Sequence, residues 1–144
     1  MQADTNKPLV LLVEDSEDDA FFFKRTFQKA GVNCLLHHVL DGAAAVGVLK
    51  QAAVSNSLQL PVAMFLDLKM PVMNGFEVLT WLRAQSFPAT IKVIVLSGSN
   101  QQEDKDRAMR LGAAEYLAKP VKMSDLQRLL ADFCPAPAET GTGA

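Results

Sequence analysis

Short apolar runs, each closing on a polar residue and each followed by a stretch of helical spacing, dominate this chain. Leu9–Val13 runs into Glu14-Asp15-Ser16, and Val62–Leu66 ends at Asp67. Ile91–Leu96 ends at Ser97, and Glu115–Ala118 ends at Lys119-Pro120. Cys34–Leu40, of mixed polarity, ends at Asp41-Gly42. A continuous apolar run of this length suits a parallel strand covered on both faces, since a half-exposed strand would alternate. The strand and helix pattern repeats five times, and right-handed crossovers then place helices on both sides of one sheet. The expected architecture is α/β, a doubly wound five-stranded parallel sheet.

The intervening segments read as helices with defined ends. The first starts near Glu17, with Glu17, Asp18 and Asp19 suiting the positive end of its dipole, and stops at Gly31. Phe22, Phe23, Thr26, Phe27 and Ala30 share a face expected to enter the core, and Phe21 lies outward with Arg25 and Gln28. The second helix, rich in small residues, runs to about Ala53, and a polar connection follows over 54–60. Phe76–Ala84, Gln101–Leu111 and Met123–Phe133 are the remaining helices. The last carries Leu126, Leu129, Leu130 and Phe133 at i, i+3, i+4 and i+7. His37 and His38 adjoin on a strand and point to opposite faces, so they are packed or edge residues and not a chelating pair.

With 144 residues, 49% of them hydrophobic, the chain is sized for one domain. The expected divisions are an N-terminal extension over 1–8, the folded domain over 9–134 and a disordered Pro, Ala, Gly and Thr tail over 135–144. A formal net charge of −2 lends no electrostatic support to nucleic-acid or membrane binding. Residues 1–8 lack the features of a signal peptide, and no apolar run is long enough to span a bilayer. Cys34 and Cys134 show no metal or redox spacing and are read as free thiols, which makes the expected location cytoplasmic.

In a doubly wound sheet the carboxyl ends of the strands meet at one crevice. Glu14, Asp15, Asp67, Ser97 and Lys119 would all arrive there. Three carboxylates in one place repel unless a cation lies among them, and a hard divalent ion such as Mg²⁺ suits an oxygen-rich set. An ammonium and a hydroxyl beside such an ion neutralise charge on a phosphoryl group moving in line onto an Asp67 oxygen. Each piece alone is unremarkable, since acidic pairs cap helices, Ser-Gly pairs make turns and Lys-Pro pairs sit in loops. Their placement at successive strand ends is what makes a site.

Val-Glu14-Asp15, Leu-Asp67-Leu-Lys-Met-Pro71-Val-Met-Asn-Gly75, Val-Leu-Ser97-Gly-Ser and Tyr116-Leu-Ala-Lys119-Pro120 together resemble the receiver domain of two-component response regulators. The resemblance spans about residues 8–134. It implies a flavodoxin-like (βα)5 fold with strand order 2-1-3-4-5. It further implies that Asp67 accepts phosphate from the phosphohistidine of a sensor histidine kinase or a phosphotransfer protein. Glu14, Asp15, Asp67 and the backbone carbonyl of Lys69 would hold Mg²⁺, with Ser97 and Lys119 contacting the phosphoryl group. Tyr116 falls at the aromatic switch position, whose ring follows the hydroxyl inward on phosphorylation. Such a protein catalyses only its own phosphorylation and dephosphorylation, and signals to a downstream protein.

The Val-Glu-Asp-Ser-Glu-Asp-Asp19 opening and the lengthened connection near 51–60 resemble stand-alone receivers, including those paired with phytochrome-type kinases. The ten residues after Cys134 are too few for a DNA-binding output domain. In receivers the first helix faces the kinase, which makes Phe21 a candidate docking residue. The helix containing Gln101–Arg107, with the last strand and helix, is the expected surface for a partner or a homodimer. Lys69, two residues past Asp67, is a candidate shield for an acyl phosphate. A receiver-shaped interaction scaffold that works without phosphate is the alternative. An Asp-nucleophile phosphohydrolase would want a second carboxylate where Lys69 stands, and Val13-Glu14-Asp15 replaces the glycine-rich turn of a dinucleotide site.

Overall fold

The computed structural model describes residues 7–55, 59–87, 91–98 and 101–133. Residues 1–6 of the expected extension, Cys134 and the tail 135–144 lie outside them. Five strands and five helices alternate: β1 (Leu9–Val13), α1 (Glu17–Ala30), β2 (Leu35–Val39), α2 (Gly42–Val54), β3 (Ala63–Asp67), α3 (Gly75–Arg83), β4 (Lys92–Ser97), α4 (Gln102–Arg110), β5 (Glu115–Ala118) and α5 (Met123–Leu130). The strands form one parallel sheet in the order β2-β1-β3-β4-β5, as expected of the flavodoxin-like topology.

Period-2 alternation divides the strand residues between two cores. Val10, Leu12, Ala63, Phe65, Ile94 and Leu96 join Phe23 and Phe27 of α1 and Leu126, Leu129 and Leu130 of α5. Leu11, Val13, Met64, Leu66, Val93 and Val95 join Leu49, Val78, Leu79 and Ala108 of α2, α3 and α4. The Phe23 and Phe65 rings, 5.0 Å apart at 59°, anchor α1 to the middle of the sheet. Helix ends follow local chemistry. Ser16 caps α1 by accepting from the Asp19 N–H, and Gly31 ends it at φ 70°, where a side chain would be strained. Asn74 and Glu77 form a reciprocal capping box on α3.

Two expectations need correction. Phe22 is 56% exposed and does not enter the core with Phe23 and Phe27. The buried residues of α1 are Ala20, Phe23, Thr26, Phe27 and Ala30, and Phe22 sits at the margin of that stripe, as does Phe21 at 63%. Cys34 is disulfide-bonded, not a free thiol. It packs against the same core cluster as Phe133, so segments a hundred residues apart meet there. That removes the thiol argument from the cytoplasmic expectation. No helix among the described residues is long and apolar enough to cross a membrane.

Candidate functional site

Parallel register brings the polar strand ends level. Val13 lies opposite Leu66, so the residues that follow them, Glu14 and Asp67, emerge side by side. Asp67 pairs with Leu96, and Ser97 pairs with Ala118, one residue before Lys119. The same alternation that divides the cores sends Glu14, Asp67 and Lys119 toward the α1 and α5 face. It sends Ser97 and Tyr116 toward the opposite face, where Tyr116 packs, half-buried, against the α2–α4 core. Ser97 is buried at the end of β4, and its carbonyl accepts from the Lys119 N–H at 2.8 Å.

The Lys119 Nζ lies 2.8 Å from Glu14 Oε1, 2.9 Å from Asp19 Oδ2 and 3.3 Å from Asp67 Oδ1. Glu14 and Asp67 are nearly fully buried, and Asp15 is exposed. Carboxylate oxygens of Glu14, Asp15 and Asp67 lie within 4.8 Å of one another. Burial, and then the charge of Glu14, raise the Asp67 carboxyl to about 6 against the opposing pull of Lys119. Burial would lower the Lys119 ammonium, but its hydrogen bonds to Asp19 and Glu14 and the charges around it outweigh that and raise it above the ordinary lysine range. One ammonium among this many acids leaves the cleft net negative. A small oxygen-seeking dication therefore fits the donor set.

The loop after Asp67 closes the cleft. The Lys69 N–H lies 3.5 Å from Asp67 Oδ1, and the exposed Lys69 lines a cavity of about 330 Å³ with Glu14, Asp15, Ser16, Asp19, Asp67, Gly98 and Lys119. Val72 adopts φ 69° in a tight turn where the Met73 N–H bonds the Pro71 carbonyl at 2.7 Å. A β-branched residue there is strained, and nothing in the sequence signals it. The Gly75 N–H then reaches the Leu68 carbonyl at 3.0 Å. A Cβ at Gly75 would stand 2.6 Å from the Asp67 carbonyl oxygen and 2.9 Å from Leu68 Cα, both backbone atoms. Gly75→Ala is expected to cost about 2 kcal/mol of stability, as overpacking against rigid neighbours does. An unchanged urea midpoint would show that the loop yields freely.

Two further contacts were not expected from the sequence. Asp19 belongs to the Lys119 cluster, although its place in the first helical turn suggested only a dipole role. His38 places Nε2 2.8 Å from the Glu14 backbone carbonyl, which ties β2 to the site.

This chain belongs to the response regulator receiver domain family, whose model matches residues 10–131. The probable methanogenesis regulatory protein FilR2 of Methanothrix harundinacea is 32% identical over 87% of this chain and 80% of its own length. Response regulator Rcp1 of Synechocystis is 29% identical over 90% and 89%. The Mn²⁺-bound structure of Rcp1 superposes with a TM-score of 0.69, 28% identity and coverage of 95% and 99%. The phosphorylated cyanobacterial phytochrome response regulator RcpA gives 0.74, 25% identity, 88% and 94%. The family is one of two-component signalling proteins, and the acidic trio is a donor set that could hold a divalent metal.

Proposed function

We propose that this chain is a phosphoacceptor receiver in which Asp67 takes a phosphoryl group from the phosphohistidine of a sensor histidine kinase. The observation that carries the reading is the contact of Lys119 with both Asp67 and Glu14 inside a buried cluster of carboxylates. An Asp67 oxygen forms the new bond to phosphorus while the donor's P–N bond breaks, and the imidazole leaves with the electron pair. Lys119 faces the charge that develops on the phosphoryl oxygens, and Ser97 supplies a hydroxyl at the neighbouring strand end. Mg²⁺, held by Glu14, Asp15, Asp67 and the Lys69 carbonyl, would neutralise phosphoryl charge when bound. Tyr116 is the switch residue that follows Ser97, and a downstream protein reads the change. Self-association through α4, β5 and α5 belongs to the same reading. The likeness to the phytochrome response regulator RcpA favours a phytochrome-type kinase as donor.

Intact mass after incubation with acetyl phosphate and Mg²⁺ tests the chemistry. One added phosphoryl group supports it; none, from acetyl phosphate or from a phosphorylated kinase, would turn the reading to a scaffold. Docking has its own test. Phe21 and Phe22 expose two rings on α1, and Phe22 lines an apolar cavity with Leu12, Phe23, Pro120 and Val121 beside Lys119. Phe21→Ala is expected to slow transfer from the kinase about tenfold, as loss of an aromatic anchor does, with acetyl phosphate uptake unchanged. Equal loss from both donors would place the effect in the site, not in docking.

A further inference from the structure

Asp19 holds the reacting lysine without belonging to the acidic trio that would hold a metal. Lys119 has three N–H donors, and three carboxylates lie within reach of them. Glu14 and Asp67 are members of the trio, and Asp19 is not. Local geometry explains why Asp19 is available. It is the third residue of α1, where an acid after a Ser cap would ordinarily turn back to the cap's own N–H. Here the Ser16 N–H is already taken by Glu14 Oε2 at 3.1 Å, while the Asp19 N–H donates to Ser16 Oγ at 3.2 Å. The Asp19 carboxylate is thus left to cross to the lysine after β5.

The three pulls on the ammonium are unequal. The Asp67 side chain is 6% exposed and makes the longest contact, 3.3 Å, whereas Asp19 is 47% exposed and lies at 2.9 Å. Asp19 therefore draws the charge toward the helix and the solvent, away from the buried acceptor. A phosphoryl group arriving on Asp67 has to win one of those N–H donors. A cation held by the trio would take up part of the charge of Glu14 and Asp67, and Asp19, outside the trio, would remain a competitor for the lysine.

We propose that Asp19 is a positioning residue that restrains Lys119 and so weakens the site's hold on an incoming phosphoryl group. The proposal rests on the receiver reading above and specifies how that site is regulated. Removing the restraint should make the site accept phosphate more readily. An ion pair half open to water is a weak restraint, so the expected change is about threefold.

The test compares wild type, Asp19→Asn, Asp19→Glu and Asp18→Asn, with Mg²⁺ present throughout. Two probes are used: beryllofluoride, which imitates a phosphoryl group on a carboxylate, read as an affinity, and acetyl phosphate, read as initial rate of mass gain. Asp19→Asn is expected to bind beryllofluoride about threefold tighter and to take up phosphate correspondingly faster. Asp19→Glu should stay near wild type because it restores the charge. Asp18→Asn removes the same charge one residue away, is expected to change nothing, and reports any general field effect. Asp19→Ala serves if the Asn variant folds poorly, with the same expected direction. Unchanged or weaker binding in Asp19→Asn and Asp19→Ala overturns the proposal, as does an equal gain in Asp18→Asn or in Asp19→Glu. A wild type that takes up neither probe overturns the receiver reading together with it, whereas a competent wild type with no gain in Asp19→Asn or Asp19→Ala overturns this inference alone.

Discussion

Asp67→Asn is expected to abolish phosphoryl incorporation entirely and, at the same time, to make the metal-free protein more stable at neutral pH. Both effects come from one buried oxygen. The amide keeps the shape and can still accept from Lys119, but it offers no nucleophilic carboxylate, so the mass adduct should disappear from any donor. In the fold the Asp67 carboxyl titrates near 6, against an ordinary value of 3.8. Between those values the folded protein binds more protons than the unfolded chain. Stability from this group is therefore fully present below about pH 4 and is lost as pH rises through 6. The neutral amide escapes that loss, about 3 kcal/mol at the scale of 1.4 kcal/mol per pH unit. Denaturant titrations of both proteins at pH 4 and pH 8, in chelator, measure it. The gain should be present at pH 8 and vanish at pH 4, and Mg²⁺ should narrow it by binding the wild type better. A persistent adduct in Asp67→Asn would remove Asp67 as the acceptor, and an equal gain at both pH values would remove the titration argument.

How far such a site can be seen in a sequence depends on which forces build it. The sheet is legible because β1, β3 and β4 are buried on both faces, and only an uninterrupted apolar run satisfies that environment. Once the strands are parallel, register follows, and residues one past Val13, Leu66 and Ala118 must meet at the same edge. Glu14, Asp67 and Lys119 could be placed together for that reason. Other features depend on distances that no local pattern carries. Asp19 reaches a lysine 100 residues away because a neighbouring carboxylate occupies the cap that would have held it. The bonded state of Cys34 likewise depends on what the fold brings alongside it. Phe22 looks like a core residue by spacing, but the stripe on α1 is too narrow to bury it. Val72 takes a left-handed conformation that its side chain disfavours, so propensity points the wrong way there.

Lys119→Ala should damage both the fold and the chemistry, and conditions can separate the two losses. The ammonium lies within 3.3 Å of two nearly buried carboxylates, and truncating it leaves them without their cation. Breaking a buried pair in this way costs about 3 kcal/mol, because the stranded charge stays desolvated. The cost should be greatest at neutral pH in chelator. It should shrink as pH falls, since Asp67 already takes a proton near 6 and a neutral carboxyl no longer needs the lysine. Mg²⁺ should recover part of it, because a dication among Glu14, Asp15 and Asp67 replaces the missing charge. The chemistry should not recover in the same way. With the fold restored by Mg²⁺, uptake from acetyl phosphate is still expected to be about a hundredfold slower, the usual loss when one donor aimed at developing charge is removed. Lys119→Arg should keep most of the stability while its planar head fits the three carboxylates poorly. Stability recovered by metal with phosphorylation still impaired would identify Lys119 as a group that touches the reacting oxygens. Recovery of both together would reduce it to a counter-ion, and the transfer would then have to rest on Ser97 and the metal.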